Sequence, residues 1–163
     1  MAQKTYAVLG SDLALTRYIG TPASLPLAAA DSWGSVDLSV GPGGRGGLRR
    51  PALQDLRAVQ GRENLAQALI LRLLTMKGDL AVLGHPQYGS RLVSLIGRLN
   101  NDATRNLARL YTLEALVEEP RVKHVLDLAV QVVDSSPDTI RISFSVVPVD
   151  DSDPLALGLE VQL

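Results

Sequence analysis

The sequence predicts an α+β fold, in which two main helices and a short helix pack on a C-terminal three-stranded antiparallel meander, behind an irregular N-terminal extension. Three observations lead to this prediction. Apolar residues recur at helical spacing between residues 62 and 117, they alternate with period two from residue 122 onward, and the first sixty residues sustain neither pattern. We therefore divide the chain into an extension, residues 1–54, and one main domain, residues 55–163.

The extension combines short apolar runs with a glycine-rich segment. Tyr6–Leu9 and Val36–Val40 are candidates for short strands. Residues 41–50 contain five glycines and one proline, a composition that loses much conformational entropy on ordering. We expect this glycine-rich arm to be a mobile linker, or a segment that orders on a protein partner.

The two main helices are predicted from amphipathic spacing. The first begins at Arg62 and ends at Gly78, and we expect it to be largely buried. Ser90 is a candidate N-cap for the short helix, which runs to Ile96, and residues 100–102 cap the second main helix, which ends near Glu118. In the first main helix the apolar face consists of Leu65, Ala66, Leu69 and Leu73, opposite Asn64, Gln67, Arg72 and Thr75. In the second main helix it consists of Ala103, Leu107, Leu110, Tyr111, Leu113 and Val117, opposite Arg105, Arg109 and Thr112.

Three strands are predicted after residue 121. The first covers residues 122–133, a turn at 134–138 leads to the second at 140–146, and a turn at 150–154 leads to the third. The alternation places His124 on the apolar face of the first strand, which predicts a buried ring. The third strand carries its apolar side chains at Leu155, Leu157, Leu159, Val161 and Leu163. Because a strand at the end of a chain often lies at a sheet edge, where it can add a strand from another chain, we consider it a candidate interface.

Composition and charge narrow the possible functions. Sixteen basic and seventeen acidic residues give a formal net charge of -1, so no overall field attracts nucleic acid or an anionic membrane. The chain has no cysteine, and its richest apolar run, residues 65–74, is too short to span a membrane. We expect a soluble protein without an export signal, which binds neither nucleic acid nor membrane.

Catalytic and metal sites receive little support from the sequence. Two pairs of carboxylates could serve a glycan hydrolase, namely Glu118 with Glu119 and Asp79 with Asp102. Acidic residues at helix ends and turns more often cap helices or contact water, however. His85 and His124 are the only histidines, and their surroundings lack the ligand spacing of a zinc site. We predict no enzyme, no cofactor and no metal, and we retain a glycan (cell-wall) hydrolase as the alternative.

The tripeptide Glu119-Pro120-Arg121 follows the second main helix. Pro120 lacks a backbone donor and disfavours helical geometry at Glu119, so the chain leaves the helix in an extended form. Residues two apart in an extended chain point the same way, which sets the carboxylate of Glu119 beside the guanidinium of Arg121. The two charges either bind a partner or pair internally and face water, and the tripeptide alone favours neither.

Several short motifs follow one another in a defined order. They are Asp55-Leu56, residues 61–68, Leu74-Thr75 with Gly78-Asp79, residues 88–92, and Glu119-Pro120-Arg121 with Val122. The set spans about residues 55–163 and resembles the gene W-type baseplate wedge family of contractile phage tails, of which the TssE-like baseplate component of type VI secretion is a relative. In that family the Glu-Pro-Arg motif likewise precedes alternating strands.

The resemblance implies a structural wedge subunit of the virion tail baseplate, assembled in the cytoplasm of the bacterial host. Such a subunit bridges wedge core-bundle proteins to the first sheath ring and nucleates sheath assembly by β-strand addition, with tail tube or hub proteins as further candidate partners. The resemblance favours an interface role for Glu119, Pro120 and Arg121, and alanine at Glu119 and Arg121 would then leave the domain folded. The alternative becomes a tail-associated cell-wall hydrolase.

Overall fold

The computed structural model describes residues 8–15, 40–42, 54–150 and 153–163, and its elements confirm the predicted α+β class. In chain order the elements are β1 Ser11–Leu13, β2 Val40–Pro42, β3 Gln54–Leu56, β4 Ala58–Gln60, α1 Arg62–Leu74, the 3-10 helices Ala81–Leu83 and Leu92–Leu95, α2 Asp102–Val117, β5 Val122–Val133, β6 Ser136–Pro148 and β7 Leu155–Gln162. None of the described helices is long and apolar enough to cross a membrane.

The three long strands form an antiparallel sheet in the order β5-β6-β7, as the alternation predicted. Strand β6 begins earlier than expected, because the first turn contains only Asp134 and Ser135. Buried side chains on one face form pairs between β6 and β7: Ile140 with Val161, Ile142 with Leu159, Phe144 with Leu157, and Val146 with Leu155. This face and the leucines of α1 share one core, in which each fully buried leucine contributes about 1.5–3 kcal/mol.

Strand β5 contains two irregularities that change which of its side chains face the core. Its register with β6 shifts between Val122 and His124 and again between Val125 and Asp127. Each shift adds one residue to β5, as a β-bulge does, so the side chains that pack on the core come from residues 122, 125, 128 and 130. The prediction of a buried His124 is therefore wrong, and the ring is exposed.

Helix α1 is largely buried, as predicted, but its polar side is buried as well. Asn64, Gln67 and Arg72 are each less than a tenth exposed. Asn64 Nδ2 donates to the carbonyl of Leu9 at 2.9 Å, and Gln67 Nε2 donates to that of Leu13 at 2.8 Å. Residues 8–15 thus satisfy the polar side chains that they cover. The helix ends at Leu74 rather than Gly78, since the next residue is already extended.

Short strand pairs precede α1, where β1 pairs with β4 and β2 pairs with β3. Two predictions are corrected here. Val8 and Leu9 are helical rather than extended, which turns Leu9 fully into the core. Residues 41 and 42 lie in β2, because pairing with β3 supplies hydrogen bonds that offset the cost of ordering a glycine. The remainder of the glycine-rich arm and residues 36–39 lie outside the described residues, and the boundary at 54/55, which falls within β3, stays a prediction.

The segment between the helices is held by Gly89 and Ser90. At Gly89 φ is +104°, and a Cβ would lie 2.7 Å from the carbonyl oxygen of Thr75, so only glycine fits. The prediction that Ser90 is the N-cap of the short helix is wrong, because Arg91 takes that position without a side-chain cap. The Ser90 hydroxyl instead accepts from the N–H of Leu92 at 3.1 Å, in a turn that precedes the helix. The short helix itself is a 3-10 turn at Leu92–Leu95.

Helix α2 begins as predicted, because Asn101 Oδ1 accepts from the N–H of Thr104 at 2.9 Å. Its buried face differs from the prediction and consists of Thr104, Ala108, Thr112, Ala115 and Leu116. Four of these side chains are small, which suits close packing on β5, and the Thr112 hydroxyl donates to the carbonyl of Ala108 at 2.8 Å. The predicted apolar face is wrong for Leu110, Leu113 and Val117, which are 53%, 40% and 67% exposed.

Candidate interface at the Glu119 corner and the β7 edge

The chain turns from α2 into β5 at a corner formed by Glu119, Pro120 and Arg121. The Glu119 N–H still donates to Leu116 at 3.3 Å, and the Val122 N–H donates to the Glu119 carbonyl at 3.0 Å. Pro120 is exposed, whereas Glu119 is only 4% exposed. The corner is therefore an ordered turn that points its carboxylate inward and its proline outward.

Both carboxylate oxygens of Glu119 are bound by arginines. Arg72 donates to Oε2 from its Nε at 3.3 Å and from a terminal nitrogen at 3.1 Å, while Arg121 Nε donates to Oε1 at 2.6 Å. Arg121 also donates to the carbonyl of Leu9 at 3.2 Å. The internal pairing that the sequence left open is thus the one observed. The sequence-based expectation that alanine at Glu119 leaves the domain folded is therefore revised. We expect this substitution to destabilise the domain, because Arg72 would stay buried without its partner.

The two arginines also set the protonation of Glu119. Burial by itself raises the pKa of this carboxyl group, but the hydrogen bond and charge of Arg121, together with Arg72, outweigh burial. The pKa of Glu119 consequently lies below its ordinary value of 4.5. The group is ionised at neutral pH and is unsuited to donate a proton there.

We expect the domain to lose stability in acid. A folded-state pKa below the unfolded one means that ionised Glu119 stabilises the fold above the unfolded-state value, near 4.5, and that this contribution disappears as the pH falls through the folded-state pKa. Glu114, whose pKa is lowered by Arg91 and Lys77, acts in the same direction. Thermal unfolding between about pH 7 and pH 3 should show a falling Tm below about pH 4.5. Glu119→Gln should make the decrease in Tm smaller, because glutamine does not titrate. An equal decrease in Tm in the two proteins would contradict the stabilising role of ionised Glu119.

A pocket of ≈ 490 Å³ lies beside the corner. Its lining residues are Arg72, Gly84, His85, Pro86, Gln87, Tyr88, Glu118 and Pro120. The guanidinium carbon of Arg72 lies 4.6 Å from the ring centroid of Tyr88, within the range of a cation–π contact. Arg72 therefore belongs both to the pocket wall and to the buried ion pair.

A second ionic cluster, formed by Lys77, Glu114, Glu118 and Arg91, lies next to the corner. Lys77 Nζ is 2.6 Å from Glu118 Oε1 and 3.1 Å from Glu114 Oε1, and the other oxygen of Glu114 accepts from Arg91. The hydrogen bonds to Glu118 and Glu114 raise the pKa of Lys77. These contacts tie the loop after α1 to the end of α2.

The carboxylates considered for hydrolysis have other partners. Glu118 pairs with Lys77, Glu119 with two arginines, and Asp102 with Arg105, while Asp79 lies exposed in the turn after α1. In the part of the chain that the structure describes, no three His, Asp or Glu residues are grouped to hold a metal ion. That the protein is not an enzyme stays a prediction.

Strand β7 lies at an edge, where it pairs with β6 and with no other described strand. The Leu163 N–H donates to the carbonyl of Asp138 at 2.7 Å, and the register then continues without a shift. Since N–H groups of an antiparallel strand point alternately toward and away from the partner, those of Ala156, Gly158, Glu160 and Gln162 point to the open edge.

The apolar side chains of β7 are not themselves available to a partner. Leu155, Leu157, Leu159 and Val161 are buried in the core, and Leu163 is partly buried against it. The backbone edge that faces away from β6 has no partner among the described strands, so an interface here depends on main-chain pairing. Whether this edge and the corner contact a partner stays a prediction.

The sequence did not identify Arg72 or Tyr88 as neighbours of the corner. The single available signal was an arginine within an otherwise apolar run, residues 69–74. A charge at a buried helical position requires a partner. That partner lies 47 residues away along the chain, and no local pattern predicts such a pairing.

Comparison with known proteins yields a likeness of fold. No family model matches the sequence, and a comparison with curated proteins found no match. The chain is similar to the crystal structure of a protein provisionally described as a tail lysozyme from Geobacter sulfurreducens. The TM-score is 0.53 at 20% sequence identity, over 62% of this chain and 89% of that one. The two proteins share a fold over that part of the chain.

Proposed function

We propose that this protein is a structural subunit of a contractile-tail baseplate wedge, which joins its neighbours by accepting a β-strand at the open edge of β7. The unpaired edge carries the proposal, because four backbone N–H groups point away from β6 on a strand whose side chains are anchored in the core. The ordered motifs of the sequence support it, as does a fold shared with a protein named for a tail.

The corner has a supporting role in this proposal. Glu119 holds Arg72 and Arg121 in fixed positions, and the exposed Pro120 and the partly exposed Arg121 form the surface that a wedge core-bundle protein contacts. The open edge of β7 receives a strand of the sheath, and tail tube or hub proteins are further candidate neighbours. The protein acts in the virion tail baseplate after assembly in the bacterial cytoplasm.

A tail-associated cell-wall hydrolase is the second candidate, because the similar crystal structure carries the name of a tail lysozyme. A glycosidase needs a general acid with a raised pKa opposite a second carboxylate. The lowered pKa of Glu119 and the engagement of Glu118 by Lys77 disfavour that role for this pair. Clearing of cell-wall substrate by the purified chain would reopen the hydrolase proposal.

Fractionation of a native lysate by size tests the structural proposal. We expect this chain, detected by mass spectrometry, to co-sediment with tube and sheath proteins in the largest particles, because a strand-joined subunit stays with its neighbours. Nuclease treatment is the control, since it removes association through nucleic acid. Recovery only as a free small protein would contradict the proposed role.

A further inference from the structure

Helix α2 carries an exposed stripe that no other described segment of the chain covers. The stripe consists of Ala103, Asn106, Leu110, Leu113 and Val117, all of which are exposed. Their spacing alternates between three and four residues, which is the spacing of the two core positions of a coiled-coil heptad. We name these five residues the α2 seam.

The buried face of α2 consists mostly of small side chains, and its exposed face carries larger apolar ones. Apart from Leu116, the buried side holds the small residues Thr104, Ala108, Thr112 and Ala115. Three larger apolar side chains face outward, namely Leu110, Leu113 and Val117, at 53%, 40% and 67% exposure. Burial of apolar area favours the opposite arrangement for a helix with a single packed face. A second packed face, on the seam, accounts for the outward leucines.

We propose that the α2 seam pairs in parallel, and in register, with the seam of a second copy of this chain. In a parallel two-stranded pairing each seam residue meets its own counterpart, so Leu110, Leu113 and Val117 pack across the two-fold axis. Asn106 meets Asn106 of the other copy. Asn106 occupies the d position of a heptad in which Leu110 and Val117 are at a, and there the two amides, each of which carries donors and an acceptor, form a hydrogen bond across the axis at some cost in affinity.

Charges beside the seam fit the parallel arrangement. Arg109 and Glu114 flank the seam on opposite sides, five residues apart, which is the offset at which flanking residues of parallel coiled-coil helices meet. Arg109 is exposed, and the structure gives it no ion pair among the described residues. Glu114 is about one-third exposed and already lies between Lys77 and Arg91, where a further donor fits a carboxylate with four acceptor positions. Two symmetric Arg109–Glu114 pairs result.

An antiparallel pairing centred on the seam lacks these features. It sets Arg109 of one copy beside Arg109 of the other and leaves each Asn106 facing an apolar residue. A second copy in parallel orientation therefore satisfies both polar groups of the seam. Because α2 is already folded and capped, pairing does not bear the cost of forming the helix.

Sedimentation equilibrium of the full chain over a wide range of concentration tests the proposal. We expect a monomer–dimer equilibrium with a Kd on the order of ten micromolar, since the contact area is small. Leu113→Glu should raise the Kd by at least about tenfold, because it places like charges across the axis. Leu110→Gln serves as a second variant if Leu113→Glu does not fold, as judged by circular dichroism.

Two further variants separate this seam from other contacts. Arg109→Glu should weaken the dimer several-fold, while Arg98→Glu, the same change of charge at an exposed arginine outside α2, should not. Asn106→Leu should tighten association, because it replaces a buried polar pair with an apolar one. A monomer up to about 1 mM would overturn the proposal. So would a dimer that Leu113→Glu leaves intact and that a change in β7 abolishes; that result would instead favour self-association at the β7 edge.

Discussion

Alanine in place of Glu119 is expected to lower the free energy of unfolding by about 3–5 kcal/mol. The substitution removes the shared acceptor of Arg72 and Arg121 and leaves Arg72, whose side chain is 9% exposed, buried without a counter-ion. The loss of one partner costs more than the intact pair contributes, because the remaining charge keeps its desolvation penalty. Urea denaturation should show a lower midpoint with an unchanged slope.

Glu118→Ala is the matched control, since the same residue type changes at the adjacent position. Glu118 lies at the surface and shares Lys77 with Glu114, so its loss should cost no more than about 1 kcal/mol. Similar losses in the two variants, or a loss below about 1 kcal/mol for Glu119→Ala, would show that the buried pair does not hold the corner.

Proline at Ala156 is expected to leave the domain folded and to abolish incorporation into particles. The Ala156 N–H points away from β6, so its removal breaks no hydrogen bond of the sheet, and the side chain is exposed. An incoming strand, in contrast, loses a donor and meets the proline ring at the edge. Particle yield should fall by about an order of magnitude or more, with Tm close to that of the unaltered protein.

Ala156→Val controls for the change of side chain, because it keeps the N–H and favours an extended strand. It should assemble normally. If both variants assemble, the open edge of β7 is not a joint; if both fail, the exposed side chain rather than the backbone makes the contact. Circular dichroism of each purified variant establishes that the fold is intact before assembly is compared.

The sheet and the start of α2 were the most predictable parts of the fold. Period-two alternation located all three strands, and the cap of α2 was placed among residues 100–102, where Asn101 provides it through a local interaction. The wrong predictions concern side chains whose burial depends on contacts with segments that are distant in the sequence. Periodicity cannot reveal the two bulges that expose His124, since each inserts one residue according to the register with β6.

Helix faces were predicted less well, for a related physical reason. Hydrophobicity alone predicted that Leu110 and Leu113 are buried. In the structure the small side chains of Thr112 and Ala108 are buried instead, because α2 packs closely on β5. Gln67 was assigned to the outer face, yet residues 13 and 15 supply partners for both ends of its amide. The corner tripeptide was recognised as a unit, but its buried partner Arg72 was not, because the contact is set by tertiary structure.

Electron cryomicroscopy of particles purified from the native lysate tests the central proposal most directly. We expect this chain at the baseplate end of a tail tube, with a strand of a neighbouring protein hydrogen-bonded along the outer edge of β7, opposite Ala156, Gly158 and Glu160. A particle in which that edge faces solvent would contradict the proposed joint. Particles that lack this chain altogether would contradict its role as a structural subunit.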